Sequence, residues 1–330
     1  MAIFNEFGFM KQFYILCIFL SALAVEVFSQ SMTISGGNTH GVVICSEGFL
    51  YGWGLNNSST QKGLLGLDPE DPTYTTADKV FSPSRVKTDN LKFSQVTAGS
   101  GASALALSCK SVVYAWGDNE NRQCGQGSLA ANVIEKPMPV LKGQTKGYTE
   151  DGEEGGDYLG GVVFVSASTA ASFALMDDGR VVGWGGAMNF SAAWTQSVCE
   201  LPTYIKDYKG NDLKNVIHIA AGDDNCYFLV DEDGDGMGMV YSIGGINGRG
   251  DSGDGTEEAP AEYAAPLTVA APVLDAETML PIDNIKMSAV TALIASILEF
   301  PSVVISIYRF DIKKKRGADI PLQIIRQDIT

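Results

Sequence analysis

The chain reads as an all-β protein of propeller type, and three observations carry that reading. A unit ending in Trp-Gly recurs along it, with Trp53, Trp116 and Trp184 standing 63 and 68 residues apart. Glycine is abundant at 37 residues, while the 3.6-residue periodicity of amphipathic helices is scarce. Each unit also contains two short apolar runs bracketing a turn, as in "FALMDDGRVVGWG" (Phe173 to Gly185). One such unit cannot bury both of its faces. Periodic units of this length, with about four strands each, are therefore read as stacked blades.

Laid against itself, "SGGNTHGVVICSEGFLYGWGLN" (Ser35 to Asn56) aligns without a gap to "AGSGASALALSCKSVVYAWGDN" (Ala98 to Asn119). "SASTAASFALMDDGRVVGWGG" (Ser166 to Gly186) aligns to both. A fourth, degenerate copy is "AGDDNCYFLVDEDGDGMGMVYSIGGIN" (Ala221 to Asn247). There Ile243-Gly244 replaces Trp-Gly after a four-residue insertion. A fifth copy could begin at "NIKMSAV" (Asn284 to Val290), which echoes "NVIHIAAG" (Asn215 to Gly222). In the third unit Asp177-Asp178-Gly179-Arg180 is the hairpin turn, since Asp-Gly supplies the positive φ that a tight turn needs. The Trp offers a broad flat surface to bury against a neighbouring sheet, and the Gly after it permits a sharp exit.

These residues resemble the regulator-of-chromosome-condensation repeat family, whose repeats follow G-x-x-H…DG-x-V-Y-x-WG-x-N…GQLG-x-G. Gly37-Asn38-Thr39-His40, Tyr51-Gly52-Trp53-Gly54-Leu55-Asn56 and Leu64-Leu65-Gly66 carry the first copy. Tyr114-Ala115-Trp116-Gly117-Asp118-Asn119 with Gln123-Cys124-Gly125-Gln126-Gly127 carry the second. Asp178-Gly179-Arg180-Val181-Val182-Gly183-Trp184-Gly185 carry the third. The resemblance covers roughly Ser31 to Asn247. It implies a seven-bladed β-propeller, of which this chain holds four readable repeats and a candidate start of a fifth, so the ring is expected to be incomplete. It also places His40 in a slot where the histidine is usually a satisfied structural residue.

Three segments are expected: a signal peptide at 1–29, propeller repeats at 30–291 and a non-repeat tail at 292–330. The first holds Lys11, an apolar stretch from Phe13 to roughly Val25, and small residues suited to cleavage. The tail is Ile-rich, almost free of Gly and locally basic, with Lys313-Lys314-Lys315-Arg316. Three readings of it stand open: a membrane anchor over Ala289 to Tyr308, a divergent last blade, or a truncated or shifted frame. Glu299 and Pro301 fall mid-span and weigh against the anchor.

A formal charge of −16 excludes a nucleic-acid partner and an anionic membrane surface, both of which need a basic face. Six cysteines show neither a CxxC pair nor zinc spacing; most read as isolated small core residues. With two histidines and no HExxH, GxSxG or P-loop, no catalytic residues are assigned. "DEDGDGMGM" gives Asp231, Asp233 and Asp235 followed by Gly236, the first half of a calcium loop, so Ca²⁺ is the one cofactor considered. Met239 and Ser242 stand where its later ligands belong, which leaves a plain polar turn as the alternative.

Leu67 to Arg85, Lys142 to Gly160 and Asn189 to Gly210 read as long polar connections. The last carries Trp194, Tyr204 and Tyr208, candidate interface anchors on rim loops or packing residues beneath them. Asn56, Asn57 and Asn189 begin N-x-S sequons. The expected function is that of an exported, non-catalytic scaffold binding a protein or glycan through its loop faces. The alternatives are a secreted hydrolase with carboxylates at the propeller axis and a membrane-anchored ectodomain. The family resemblance also brings nuclear guanine-nucleotide exchange factors and exported members, one of which inhibits β-lactamases. The exchange activity is not carried over, since the predicted export removes its GTPase.

Overall fold

The computed structural model describes residues 33–57, 63–68, 78–186, 198–222, 225–244, 267–273, 281, 283, 285–288 and 309–312. All regular structure among them is β, in four antiparallel sheets. Blade 1 is β1 (Ile34–Gly36), β2 (His40–Ile44), β3 (Leu50–Leu55) and β4 (Lys79–Arg85). Blade 2 is β5 (Phe93–Ala98), β6 (Ser103–Ser108), β7 (Val113–Asp118) and β8 (Val133–Pro139). Blade 3 is β9 (Val162–Ala167), β10 (Ala171–Met176), β11 (Val181–Gly185) and β12 (Cys199–Tyr204). Blade 4 is β13 (Val216–Ala221), β14 (Asn225–Val230), β15 (Met237–Gly244) and β16 (Leu267–Pro272). It is extended by β17 (Ile285–Ser288) and β18 (Arg309–Ile312).

The first three blades are simple meanders, and their first strands abut one another in series. Each blade opens on the same tight turn. The amide of Gly37, Gly99, Ser168 or Gly222 donates to the carbonyl of His40, Ser103, Ala171 or Asn225. Side chains then join one inner strand to the next. Ser35 Oγ accepts from the Ala98 amide at 3.0 Å, and Ser166 Oγ accepts from the Ala221 amide at 2.9 Å. Between blades 2 and 3 the buried Gln95 carboxamide both donates to Val165 O (2.9 Å) and accepts from Val165 N (3.0 Å).

Three large apolar cores lie between the blades. The face of blade 1 that looks forward along the series gives Val42, Ile44 and Leu50. The backward-looking face of blade 2 gives Val96, Ala104, Ala106, Tyr114 and Trp116. Leu105, Leu107 and Val113 meet Val165, Ala174, Val182 and Trp184 in the second core. Phe173, Leu175 and Val181 meet Ile219, Cys226, Phe228, Tyr241 and Ile243 in the third. The alternation of strand side chains thus makes every blade two-faced, one set for each neighbour.

The Trp-Gly motif explains how successive blades lock. In all four sheets the pairing of the third strand with the fourth slips at this point, between Gly52/Gly54, Ala115/Gly117, Gly183/Gly185 and Ser242/Gly244. The glycine following the ring takes φ of +110°, +91° and +89° in blades 1–3. A Cβ there would come within 2.5 Å of the backbone carbonyl of the residue just before the blade's second strand. Two of the rings rest on a glycine of the blade before: Trp116 on Gly66, and Trp184 on Gly125. Asparagine builds the loop that offers this glycine. Asn119 Oδ1 accepts from Cys124 N (3.0 Å) while its Nδ2 donates to Ala131 O, and Asn56 Oδ1 accepts from Leu65 N. Trp184 Nε1 closes the joint by donating to Gln123 O at 2.8 Å.

Three expectations are revised here. The segment Leu67 to Arg85 is not all loop: β4 occupies its end, and Pro83 is tolerated because this strand closes the edge of its sheet. The segment Asn189 to Gly210 likewise contains β12. Ile285–Ser288 begins no sheet of its own among the described residues. It pairs with β15 through Met237↔Lys286 and Gly238↔Ile285, and β18 pairs with it in turn. Both strands therefore enlarge the fourth sheet.

Candidate binding surfaces and acidic turn

The acidic turn joins β14 to β15. Asp231 is 8% exposed, and its two carboxylate oxygens accept from Gly234 N (2.8 Å) and Gly236 N (2.9 Å). Asp233 accepts from Asp235 N, and Asp235 accepts from Met237 N (2.7 Å). Gly234 and Gly236 take φ of +75° and +79°, which folds the turn back on itself. One oxygen from each of the three aspartates lies within 4.8 Å of the others, so the carboxylates converge. Among the described residues no further His, Cys, Asp or Glu joins them. Met239 and Ser242 are strand residues paired with Val230 and Tyr227, and Ser242 is wholly buried in the sheet. Three carboxylates alone fit a weak cation site at most.

Of the aromatic candidates, Tyr204 ends β12 and is partly buried, with the Arg180 guanidinium 4.1 Å from its ring centre. Arg180 also pairs with Asp178 (2.7 Å) and Asp212 (3.6 Å), and Lys206 pairs with Asp212. Those charges hold the carboxyls of Asp178 and Asp212 below the usual range, led by the hydrogen bonds from Arg180 and Lys206 respectively. Tyr204 is therefore part of a joint between the blade-3 hairpin and the connection to blade 4. Tyr208 is half exposed on that connection, with Lys209 Nζ 5.1 Å from its ring. Trp194 and the sequon at Asn189 lie outside the described residues, as does 1–29. Asn56 is 3% exposed and engaged in its loop, so it is a poor glycan acceptor.

His40 is buried, as its slot in the repeat implies, yet neither ring nitrogen has a hydrogen-bond partner among the described residues. Burial lowers its pKa. The His218 ring centre lies 4.9 Å from that of Phe164, tilted by 55°, and burial likewise lowers its pKa. The five described cysteines are free thiols: Cys124 and Cys226 buried, Cys109 exposed, Cys45 and Cys199 between. The innermost strands of the four blades (ISG, FSQVTA, VVFVSA and VIHIAA) contain no carboxylate. The acid pair that an axial hydrolase needs is thus missing from these strands.

The connection from blade 2 to blade 3, Lys142 to Gly160, is a long polar, turn-rich stretch and a candidate contact surface. It folds into a compact hairpin through Tyr148↔Tyr158 and Tyr148↔Glu154 bridges. It displays Glu150, Asp151, Glu153, Glu154 and Asp157 in the open. Asp177 and Asp178 of the β10–β11 turn are exposed beside it, Asp177 N donating to Gly161 O. The dense acid run in "YTEDGEEGGDY" was the available signal.

No family model matches the chain. Human E3 ubiquitin-protein ligase HERC2 is 29% identical over 226 residues, 68% of this chain and 4% of that protein. The RCC1 domain-containing protein RUG3, mitochondrial, of Arabidopsis thaliana is 27% identical over 203 residues, 60% of this chain and 39% of that one. This chain is similar to RCC1-repeat proteins. It spans well under half of either relative. Human WBSCR16 superposes with a TM-score of 0.51 at 18% identity, covering 74% of this chain and 54% of that one, which speaks to the fold alone. Among the described residues the β-propeller fold is represented by four sheets. Among the described residues no helix is long and apolar enough to cross a membrane.

Proposed function

We propose that this chain is an exported scaffold that binds a basic protein surface through the acidic end of its blades. The observation that carries this reading is the exposed group Glu150, Asp151, Glu153, Glu154, Asp157, Asp177 and Asp178 on adjoining turns. Rigid blades hold these charges in a fixed pattern, and such fields raise association rates and select partners of opposite sign. The chain's −16 charge supports a cationic partner and disfavours nucleic acid. Export rests on residues 1–29 and no catalytic role is assigned. The direct test is expression with the native N-terminus in a secreting host. The chain should reach the medium shortened near Ser29, and retention inside would refute export. Binding is then measured against basic proteins, acidic proteins and glycans at two salt concentrations. Salt-sensitive binding to basic proteins, lost on reversing Glu150, Asp151 and Glu153 to Lys, supports the reading; glycan binding or an unaffected variant overturns it.

A second reading concerns Asp231, Asp233 and Asp235, whose convergence favours a weak Ca²⁺ site. Calcium in the millimolar range would then raise the melting temperature, and Asp233→Asn would abolish the rise. An equal rise in the variant excludes the site.

A further inference from the structure

The innermost strands of blades 2, 3 and 4 share an irregularity that the alternation of two faces does not require. In each, the pairing with the second strand skips one residue. Ser94 falls between Phe93↔Ser108 and Gln95↔Leu107, Val163 between Val162↔Met176 and Phe164↔Leu175, and Ile217 between Val216↔Val230 and His218↔Leu229. Such a bulge re-aims one side chain away from the regular pleat. The exposures follow it. Phe93, Gln95, Val162 and Val216 are at most 3% exposed, whereas Val163 is 53% exposed and Ser94 and Ile217 are partly open. An inner strand has a neighbour along one edge only, so these residues line the propeller axis, a channel that stays open however many blades surround it.

The surroundings of the three bulges differ. One backbone hydrogen bond ties the turn after each second strand to the residue two before the bulge. Cys109 N donates to Lys92 O, Asp177 N to Gly161 O and Asp231 N to Asn215 O. Ser94 therefore sits by Cys109 and Lys110, its hydroxyl turned back to Leu107 O at 3.3 Å. Val163 sits by the exposed Asp177 and Asp178, and Ile217 by the exposed Glu232, Asp233 and Asp235. The rings of Phe164 and His218, which follow Val163 and Ile217, meet 4.9 Å apart and join the two. The result is an apolar step on the axis with acidic turns along its rim. Of the cations nearby, Arg180 is already paired with Asp178 and Asp212, and Lys214 is exposed.

We propose that this step seats a basic segment of the partner protein, one apolar side chain resting on Val163 and Ile217 while flanking Lys or Arg residues reach the acidic turns. The inference rests on the cationic-partner reading above and names where that partner makes its apolar contact. Charge alone steers many basic surfaces toward the same face. A desolvated apolar anchor inside a charged rim is what makes such a contact selective. The carboxylates of the two turns set the sign of the rim. The β-branched side chains, held on bulges of the rigid inner strands, supply the seat.

The test is fluorescence anisotropy of three labelled peptides against the full chain at low salt: basic GKRLKRG, its counterpart with serine for leucine, and acidic GEELEEG. The leucine peptide should bind roughly tenfold more tightly than the serine peptide, as expected for partial burial of one leucine. Combining Val163→Ser with Ile217→Ser should erase that ratio and leave the serine peptide's affinity unchanged. Serine already stands at this place in blade 2, so the fold carries it there. Val163→Thr, equal in shape, gives the same reading should the double variant lose its circular dichroism. Asp177→Lys should weaken both basic peptides alike, and an unaffected variant would overturn the acidic rim. A ratio near one in the wild type, or a ratio that survives the substitutions, overturns the apolar seat while the cationic-partner reading stands. Tighter binding of the acidic peptide, or no binding of either basic one, overturns both.

Discussion

Replacing Gly125 by alanine tests whether the Trp-on-glycine joint couples the blades. Gly125 takes φ of +63°, and its added Cβ would lie 2.7 Å from Val140 Cγ1 and 2.9 Å from Trp184 Nε1. The indole cannot withdraw freely, because its N–H is tied to Gln123 O at 2.8 Å within a closed core. Two costs therefore add. The left-handed backbone costs an L-residue about 1–2 kcal/mol, less about 0.4–1 kcal/mol regained by stiffening the unfolded chain. Overpacking adds about 1–3 kcal/mol. Gly155→Ala is the control, since its φ is +95° but nothing lies within 4 Å of its Cβ. Urea denaturation followed by tryptophan emission should show a loss of about 1 kcal/mol for Gly155→Ala and about 2–4 kcal/mol for Gly125→Ala. The second variant should also red-shift the native emission as the Trp184 pocket opens. Equal losses in both variants would refute the idea that the ring needs this glycine beneath it.

Other consequences are open to measurement. Gln95→Leu strands the Val165 amide and carbonyl between blades 2 and 3, and should cost about 1–3 kcal/mol in the same denaturation assay. His40 is held neutral by burial, its folded pKa lying below the ordinary 6.5. The unfolded chain therefore binds the proton first, so the stability is complete above pH 6.5 and falls as the pH drops through and below that value. His40→Leu should flatten this part of the urea-midpoint profile between pH 8 and 5.5; an unchanged slope would assign it elsewhere. A thiol reagent should modify exposed Cys109 rapidly in the native state. Cys124 and Cys226, buried and with thiols pushed well above their ordinary pKa, should react only on unfolding. Loss of the fast phase in Cys109→Ser completes that check.

The hairpins and their Trp-Gly ends were legible in the sequence because each position obeys a local rule. Asp178-Gly179 makes a turn, alternation sorts Ala174 from Leu175, and the glycine after Trp184 needs a positive φ. The role of Asn119 and Gly125 as a cradle for the next blade's ring was present only as a repeated pattern, since the contact is long-range. The outer strands β4 and β12 hid inside polar segments. An edge strand with one solvent face keeps few apolar residues, as Val80 and Pro202 show against their exposed or half-exposed neighbours. Of the candidate site, one oxygen of each of the three aspartates lies within 4.8 Å of the others. That Ser242 is buried in a strand, and so withdrawn from any ligand shell, depends on the register of β14 with β15. No single segment reveals that register.

Because Trp116 and Trp184 each sit on a glycine loop of the blade before, against a forward apolar trio of that blade, the joints of blade 1 with blade 2 and of blade 2 with blade 3 are of one gauge. Excising a whole unit, from the inner turn to the strand that follows its glycine loop, would bring together two faces that still fit. Cutting anywhere else would leave a ring without its cradle. The molecule is therefore tolerant to changes in the number of its units and intolerant to changes in their phase. A length variant of this chain should survive only when the residues gained or lost amount to one complete repeat.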